Sequence, residues 1–290
     1  MNIAILSRGE TLYSTQSLLK AGEALNHSIE VIDPTYCNVF IEDDKALLQY
    51  HDKLIDDLDA IIPRIGASNT YYGTSLVRHF EAMEVFSIVS SEGIRISRDK
   101  WASFQIMAKA GVPLPKTTLV SQYYAEDFLR DFGQGPVIIK LLEGTHGTGV
   151  ILCESYKNAL ATLETLRSTR SRFLLQEYIE ESKGADLRVI VVGGSIVASM
   201  RRQAKEGDFR SNLHRGGSSE AIKLSEAEKN AALRAAKSLN LGVCGVDILQ
   251  SKRGPLVLEV NSTPGLEGVE NTTGIDVSKH IIEYLERHKR

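Results

Sequence analysis

A chain of 290 residues, 42% of them hydrophobic, is long enough to bury a substantial core and to divide into two or three subdomains. It has no run of about 18 apolar residues that could cross a bilayer, and its start, MNIAILSRGE, lacks the basic-then-apolar layout of a secretory signal, so a cytoplasmic protein is expected. A net charge of -3 exerts no global pull toward nucleic acid or membranes, and Cys37, Cys153 and Cys244 stand too far apart for a zinc site or disulfide framework, which leaves them as buried small hydrophobes.

In chain order, IAIL, TQSLLKAGEAL, IEVID and DAIIPRIG alternate as strands and helix do in a βαβ unit, so residues 1–93 are expected to form an α/β domain. In SRDKWASFQIMAKAGVPLPKTTLV, Ser97 or Asp99 is the candidate N-cap of a helix, Gly111 and Pro113 stop it, and a strand follows. PVIIK and VILCE are strands around a glycine-rich loop, YKNALATLETLR is a helix, and FLLQEYI is a strand; this block is α+β. LRVIVVGGSIVASMRR reads as a Gly-Gly hairpin, and a polar, cationic loop follows it. A helix from Ser225 to about Leu239 then leads to a second hairpin, GVDILQSKRGPLVLEVN.

The loop in KLLEGTHGTGVILCE has glycines at 144, 147 and 149, but in the order G-x-x-G-x-G and leading into a strand. A dinucleotide or P-loop fingerprint would lead into a helix. The segment is better read as a flexible hairpin flap whose backbone N–H groups, with the hydroxyls of Thr145 and Thr148, cover phosphates while Lys140 supplies a cation. Taken alone, the loop leaves a plain glycine-rich hairpin with a surface lysine equally open.

In the second hairpin Glu259 and Asn261 are two apart and share a face. Asp247 and Glu259 each lie six positions from Arg253, so a turn centred there sets them directly opposite each other. Two opposed carboxylates call for a cation between them, and hard oxygen donors with an amide suit Mg²⁺ held against phosphates. A solvated acidic face is the alternative, weakened by the apolar Val246, Ile248, Leu258 and Val260 around the pair. The segment RRQAKEGDFRSNLHRGG, 201–217, is an anion-holding loop. With Phe209 its single aromatic and with Glu206 and Asp208 interspersed, it is a poor nucleic-acid patch.

These residues together resemble a known set. Lys100, Lys140 with EGTHGTGV, QEYI at 176–179, Asp186 with Arg188, KEGDFRSNLHRGG, Asp247 and EVNSTPGLEGVE at 259–270 are similar to the ATP-grasp ligases, and among them to the RimK-type glutamate ligases, along essentially the whole chain. The resemblance implies an N-terminal α/β pre-ATP-grasp domain (1–93) and two α+β subdomains (94–177 and 178–290) that sandwich ATP. It implies ATP held by Lys100, Lys140, the flap residues Gly144, Thr145, Gly147 and Gly149, the strand Glu177, Tyr178 and Ile179, and by Asp186, Arg210, Ser211 and Asn212. Two Mg²⁺ or Mn²⁺ would sit on Asp247, Glu259 and Asn261, and Arg188, Arg202 and Arg210 would clamp the acyl phosphate and acidic substrates. The implied chemistry is ATP-dependent amide formation through an acylphosphate. L-glutamate would join an acidic C-terminal peptide, such as the tail of a small-subunit ribosomal protein, or free poly-glutamate. A homo-oligomer is a further expectation. A ligase acting on a small-molecule carboxylate and a non-catalytic nucleotide-binding regulator are the competing readings.

Overall fold

The computed structural model describes residues 1–120, 125–142, 149–169, 171–211, 213 and 216–288, with Ala67 described by its backbone alone. The chain opens with β1 (Asn2–Leu6), α1 (Tyr13–Ala24) and β2 (Ser28–Ile32), and continues through β3 (Cys37–Glu42), β4 (Lys45–Tyr50), β5 (Lys53–Ile55) and β6 (Ala60–Pro63). Helix α2 (Thr70–Ala82), β7 (Phe86–Ser87) and α3 (Ser91–Arg98) complete this part. The strands β2-β1-β6-β7 make a wholly parallel sheet whose central strands are continuously apolar and buried, as a sheet covered on both faces requires. The small antiparallel sheet β3-β4-β5 was not foreseen in the sequence; Asp43 and Asp44, both at positive φ, form the two-residue turn that creates it.

Asp99 is the cap of α4 (Lys100–Lys109): its carboxylate accepts the N–H groups of Trp101 and Ala102, both at 3.0 Å, while Ser97 lies inside α3. Next come β8 (Thr117–Leu119), α5 (Ala125–Arg130), β9 (Val137–Leu141), β10 (Val150–Cys153), α6 (Tyr156–Ser168) and β11 (Phe173–Glu177). These strands form the antiparallel sheet β10-β9-β11-β8, and α5 and α6 cover it around a separate hydrophobic cluster that includes Val137, Ile139, Leu163, Phe173 and Leu175.

The last part contains β12 (Ala185–Val192), β13 (Ser195–Gln203), β14 (Ser218–Ala221), α7 (Glu226–Ser238), β15 (Val243–Ser251), β16 (Gly254–Asn261), α8 (Glu267–Thr273) and α9 (Val277–Glu286). Its sheet runs β14-β13-β12-β15-β16, entirely antiparallel. Gly193 and Gly194 take φ of 57° and 75°, the left-handed pair that closes a tight hairpin. Ser225 and Glu228 cap α7 reciprocally. Helix α9 returns to pack against α1, and Ser278 Oγ donates to Ser17 Oγ at 2.7 Å, so the C-terminal helices bind the first sheet to the third.

The second hairpin corrects one expectation. Its turn is the two-residue Lys252–Arg253, with Ser251 paired to Gly254, which would set Asp247 opposite Leu258. A bulge between the Ile248–Val257 and Asp247–Glu259 pairs skips Leu258 and restores the pairing of Asp247 with Glu259. All three cysteines are buried and unpaired, as expected. Among the described residues no helix is long and apolar enough to cross a membrane.

Because the middle sheet has a core of its own, Phe173→Ala should destabilise it by about 3–5 kcal/mol while the first sheet stays folded. Hydrogen exchange should show amides of β9 and β11 losing protection well before those of β1 and β6; simultaneous loss would contradict separate cores.

Candidate active site

The pairing of β12 with its two neighbours sets four charges on one face. Asp186 lies opposite Arg202 of β13, and Arg188, two residues on, lies opposite Asp247 of β15. Arg202 donates from Nε to Asp186 Oδ1 at 2.7 Å, and from Nη2 to Asp186 Oδ2 at 2.6 Å and to Asp247 Oδ2 at 2.9 Å. Arg188 donates from Nε to Asp247 Oδ1 and from Nη2 to Asp247 Oδ2 at 2.7 Å. Asp186, Arg202 and Asp247 are only 4%, 6% and 2% exposed, so each charge depends on its partners for solvation. Burial works to raise the Asp247 carboxyl, but the charges and hydrogen bonds of Arg188 and Arg202 outweigh it and hold the group below the ordinary carboxylate range. Burial likewise works against the Arg202 cation, and Asp247 and Asp186 more than reverse it.

Beyond Asp247 the face opens to solvent. Glu259 is exposed, and Asn261 Nδ2 donates to its Oε1 at 3.1 Å. Facing this edge are two lysines, one on α4, whose Phe104 and Met107 join the large core, and one on the middle sheet. Lys100 is the first residue of α4, and its Nζ donates to Leu142 O at 3.1 Å; Lys140 sits in β9 between Val150 and Leu174. Burial lowers the pKa of Lys100, and the carboxylates of Glu259 and Asp99 pull it back up. Burial pushes Lys140 down to about 8; Glu259 and Asp247 oppose this, and the neighbouring Lys100 adds to it. Two buried cations, one depressing the other, set opposite two carboxylates make an environment suited to a polyanion accompanied by a metal ion.

The donor set fits a hard divalent cation, although not for the reason the sequence suggested. Repulsion between Asp247 and Glu259 does not by itself call for a metal, because two guanidiniums already neutralise Asp247. Three N–H groups occupy three of the roughly four lone-pair positions of that carboxylate, which leaves Oδ1 one more. With the exposed carboxylate of Glu259 and the amide of Asn261, this makes an all-oxygen set of the kind Mg²⁺ takes.

The other expected site residues are distributed more widely. Glu177 accepts the Lys116 N–H at 2.5 Å and a guanidinium N–H of Arg253, while its own N–H donates to Lys116 O at 3.0 Å. The strand ends there, leaving Tyr178 and Ile179 in the connection; Ile179 O accepts from Ser182 N and Oγ at 3.1 and 2.8 Å. Arg210 donates from Nε to Asp208 Oδ1 at 3.0 Å, beside the Phe209 ring, and Ser211 is buried. Gly149, at φ 83°, stands at the base of the flap, where its carbonyl accepts from Leu141 N at 2.8 Å. Gly144, Thr145, Gly147 and Asn212, with His146 and Thr148, lie outside the described residues. Asp186 and Arg202, expected at nucleotide and substrate, are turned inward on each other. Sequence reasoning passed over Arg64, whose Nη2 donates to Pro264 O at 2.8 Å just beyond Asn261; no local pattern marks a contact spanning 200 residues.

The model of the RimK-like ATP-grasp domain matches residues 97–285, and that of the RimK pre-ATP-grasp domain matches residues 1–94. The chain belongs to the RimK-like ATP-grasp family. A protein of Vibrio atlanticus (strain LGP32) named probable alpha-L-glutamate ligase is 49% identical over 291 positions, covering 100% of this chain and 97% of the relative. One of Marinomonas sp. (strain MWYL1) with the same name is 50% identical over 288 positions, covering 99% and 96%. Among solved structures, the ATP-grasp ligase PsnB complexed with a phosphomimetic variant of its minimal precursor, Mg and ADP superposes with a TM-score of 0.77 at 19% identity, covering 99% of this chain and 98% of PsnB. A RimK domain ATP-grasp protein of Sphaerobacter thermophilus DSM 20745 gives 0.73 at 20% identity, covering 99% and 100%. At these identities the two structures establish the ATP-grasp fold.

The buried pair yields a thermodynamic expectation for this ATP-grasp chain. Arg202→Met should lower stability by about 3–5 kcal/mol by leaving Asp186 buried and unpaired, and adding Asp186→Leu should recover most of that loss. Urea unfolding of both variants checks this; a double variant no more stable than Arg202→Met would contradict the compensation.

Proposed function

We propose that the chain is an ADP-forming acid–amine ligase that joins L-glutamate to the carboxylate of an acidic acceptor. The observation that carries this reading is the facing of Lys100 on α4 and Lys140 on the middle sheet with Asp247, Glu259 and Asn261 on the last sheet. The relatives' name, probable alpha-L-glutamate ligase, supports the choice of glutamate. The acceptor is proposed to be an acidic C-terminal peptide, such as the tail of a small-subunit ribosomal protein or a growing poly-glutamate chain.

In this reading ATP lies between the middle and last sheets. Lys100 and Lys140 neutralise its phosphates, and the segment from Glu177 to Ile179 borders the adenine. Asp247, Glu259 and Asn261 would hold one or two Mg²⁺, or Mn²⁺, and the bound metal supplies further charge neutralisation at the phosphoryl group in transfer. An oxygen of the acceptor carboxylate attacks the γ-phosphorus, the bond to the bridging oxygen breaks and ADP leaves, forming an acylphosphate. The amine of glutamate, having lost a proton, then attacks the acyl carbon and expels inorganic phosphate. Such chemistry relies on alignment and charge compensation and needs no protein nucleophile. Arg188, partly exposed beside Asp247, is the arginine best situated to steady the acyl phosphate.

Incubation with ATP, Mg²⁺, L-glutamate and a glutamate-terminated peptide should release phosphate and lengthen the peptide by successive glutamate residues, read by mass. Glu259→Gln should keep its fold and lose Mg²⁺-dependent turnover, and Lys140→Ala should raise the KM for ATP. Full activity in Glu259→Gln would overturn the metal assignment. Amide formation only with small carboxylates would replace the acceptor, and ATP binding without ADP formation would replace the ligase with a nucleotide-binding regulator.

A further inference from the structure

A second group of cations lies apart from the two lysines. In the parallel sheet, β2 and β6 flank β1 on opposite sides, so the chain departs in opposite directions from the carboxyl ends of β1 and β6, and a ligand crevice forms at such a point. The segment after β1 carries Arg8, and the segment after β6 carries Arg64. Elsewhere Arg95, Arg188, Arg201, Arg202 and Arg253 each meet a carboxylate. Arg8 and Arg64 do not: among the described residues, the side-chain acceptors the structure gives them are Ser68 Oγ at 3.2 Å for Arg8 and Pro264 O at 2.8 Å for Arg64. Glu270 is near enough to favour the Arg64 cation, but its oxygens accept from Ser17 Oγ and Ser278 N, at 2.9 and 3.0 Å. Burial outweighs that help and brings Arg64 down to about 10. Arg98 fastens the segment in place by donating to the carbonyls of Ile65 and Gly66.

This crevice adjoins the site already described. Pro264, which accepts from Arg64, follows Asn261 by three residues, and a methyl group added at Gly245 would lie 3.0 Å from Pro264 Cβ and 3.3 Å from Arg188 Cδ. Pro264 thus stands between Arg64 and Arg188, which borders the edge proposed to hold the metal. Gly265 has open space where a side chain would stand, and among the described residues the enclosed Thr263 hydroxyl in the same loop has no hydrogen-bond partner.

We propose that Arg8 and Arg64 form a subsite for a substrate carboxylate at this crevice, holding an acidic substrate so that its reacting group reaches the space beside Arg188. The inference rests on the ligase reading above. The carboxylate belongs either to the incoming amino acid or to the acidic end of the acceptor, and kinetics separate the two. With full-length enzyme, Arg8→Ala and Arg64→Gln should raise one carboxylate KM, for glutamate or for a glutamate-terminated peptide, by about ten- to a hundredfold. The KM for ATP should not move, and kcat should fall far less than KM rises. Arg64→Lys should recover part of the loss, and the rise confined to one carboxylate KM is what a purely structural role for Arg64 would not predict. Arg8 is exposed, so its variant should keep the wild-type melting temperature. Unchanged KM values for both carboxylate substrates in folded Arg8→Ala and Arg64→Gln would overturn the subsite. If the wild type forms no amide with any acidic pair, the ligase reading fails separately. Calorimetric binding of L-glutamate and of the peptide then tests the subsite, which predicts binding to wild type that is lost in Arg8→Ala and is overturned if binding is absent or unchanged.

Discussion

Asp247 is held by two guanidiniums where water hardly reaches, and the arrangement of the last sheet follows from that arrangement. A carboxylate so buried must be neutralised, and Arg188 across the ladder and Arg202 one strand further supply the charge. Arg202 carries excess positive charge in turn, which Asp186 balances. The four groups make an electrically neutral chain spanning β13, β12 and β15, and each needs its neighbour's register to be right. A slip of one residue would turn the buried charges to the opposite face, so the ion pairs oppose a slip as the apolar core also does. Asp247 still keeps a lone-pair position toward the open edge, where the bulge at Leu258 brings Glu259 alongside.

Across the cleft the charge balance is reversed. Lys140 comes from the sheet with a core of its own and Lys100 from α4, which packs into the large core, and burial lowers the pKa of both. Fold and electrostatics therefore divide the work: the last sheet holds the carboxylates, while α4 and the middle sheet each bring one cation to face them. The middle sheet is joined to the turn of the second hairpin where Arg253 meets Glu177 at the end of β11. That contact lies beside the segment proposed to border the adenine.

Much of this was legible because it is local. The Gly193–Gly194 turn, the Asp99 and Ser225 caps and the alternation along β15 and β16 are written in neighbouring residues. Asp247 and Glu259 were paired correctly because two departures cancel: the turn is one residue shorter than a turn centred on Arg253, and the bulge adds the residue back. The small sheet β3-β4-β5 was passed over because its turn is Asp-Asp, without the glycine that usually marks such hairpins. The inward pairing of Arg202 with Asp186 and the reach of Arg64 to Pro264 depend on strand order and domain docking. A basic residue in a cationic stretch looks the same in sequence whether it faces substrate or a buried aspartate.

The central claim is that this site activates a carboxylate by taking the γ-phosphoryl group of ATP onto it. The direct measurement is a single-turnover reaction with an acceptor peptide whose C-terminal carboxylate carries ¹⁸O, with the released phosphate analysed by mass. Transfer through an acylphosphate predicts one ¹⁸O atom in each phosphate released for each amide formed. Unlabelled phosphate beside a lengthened peptide would contradict it.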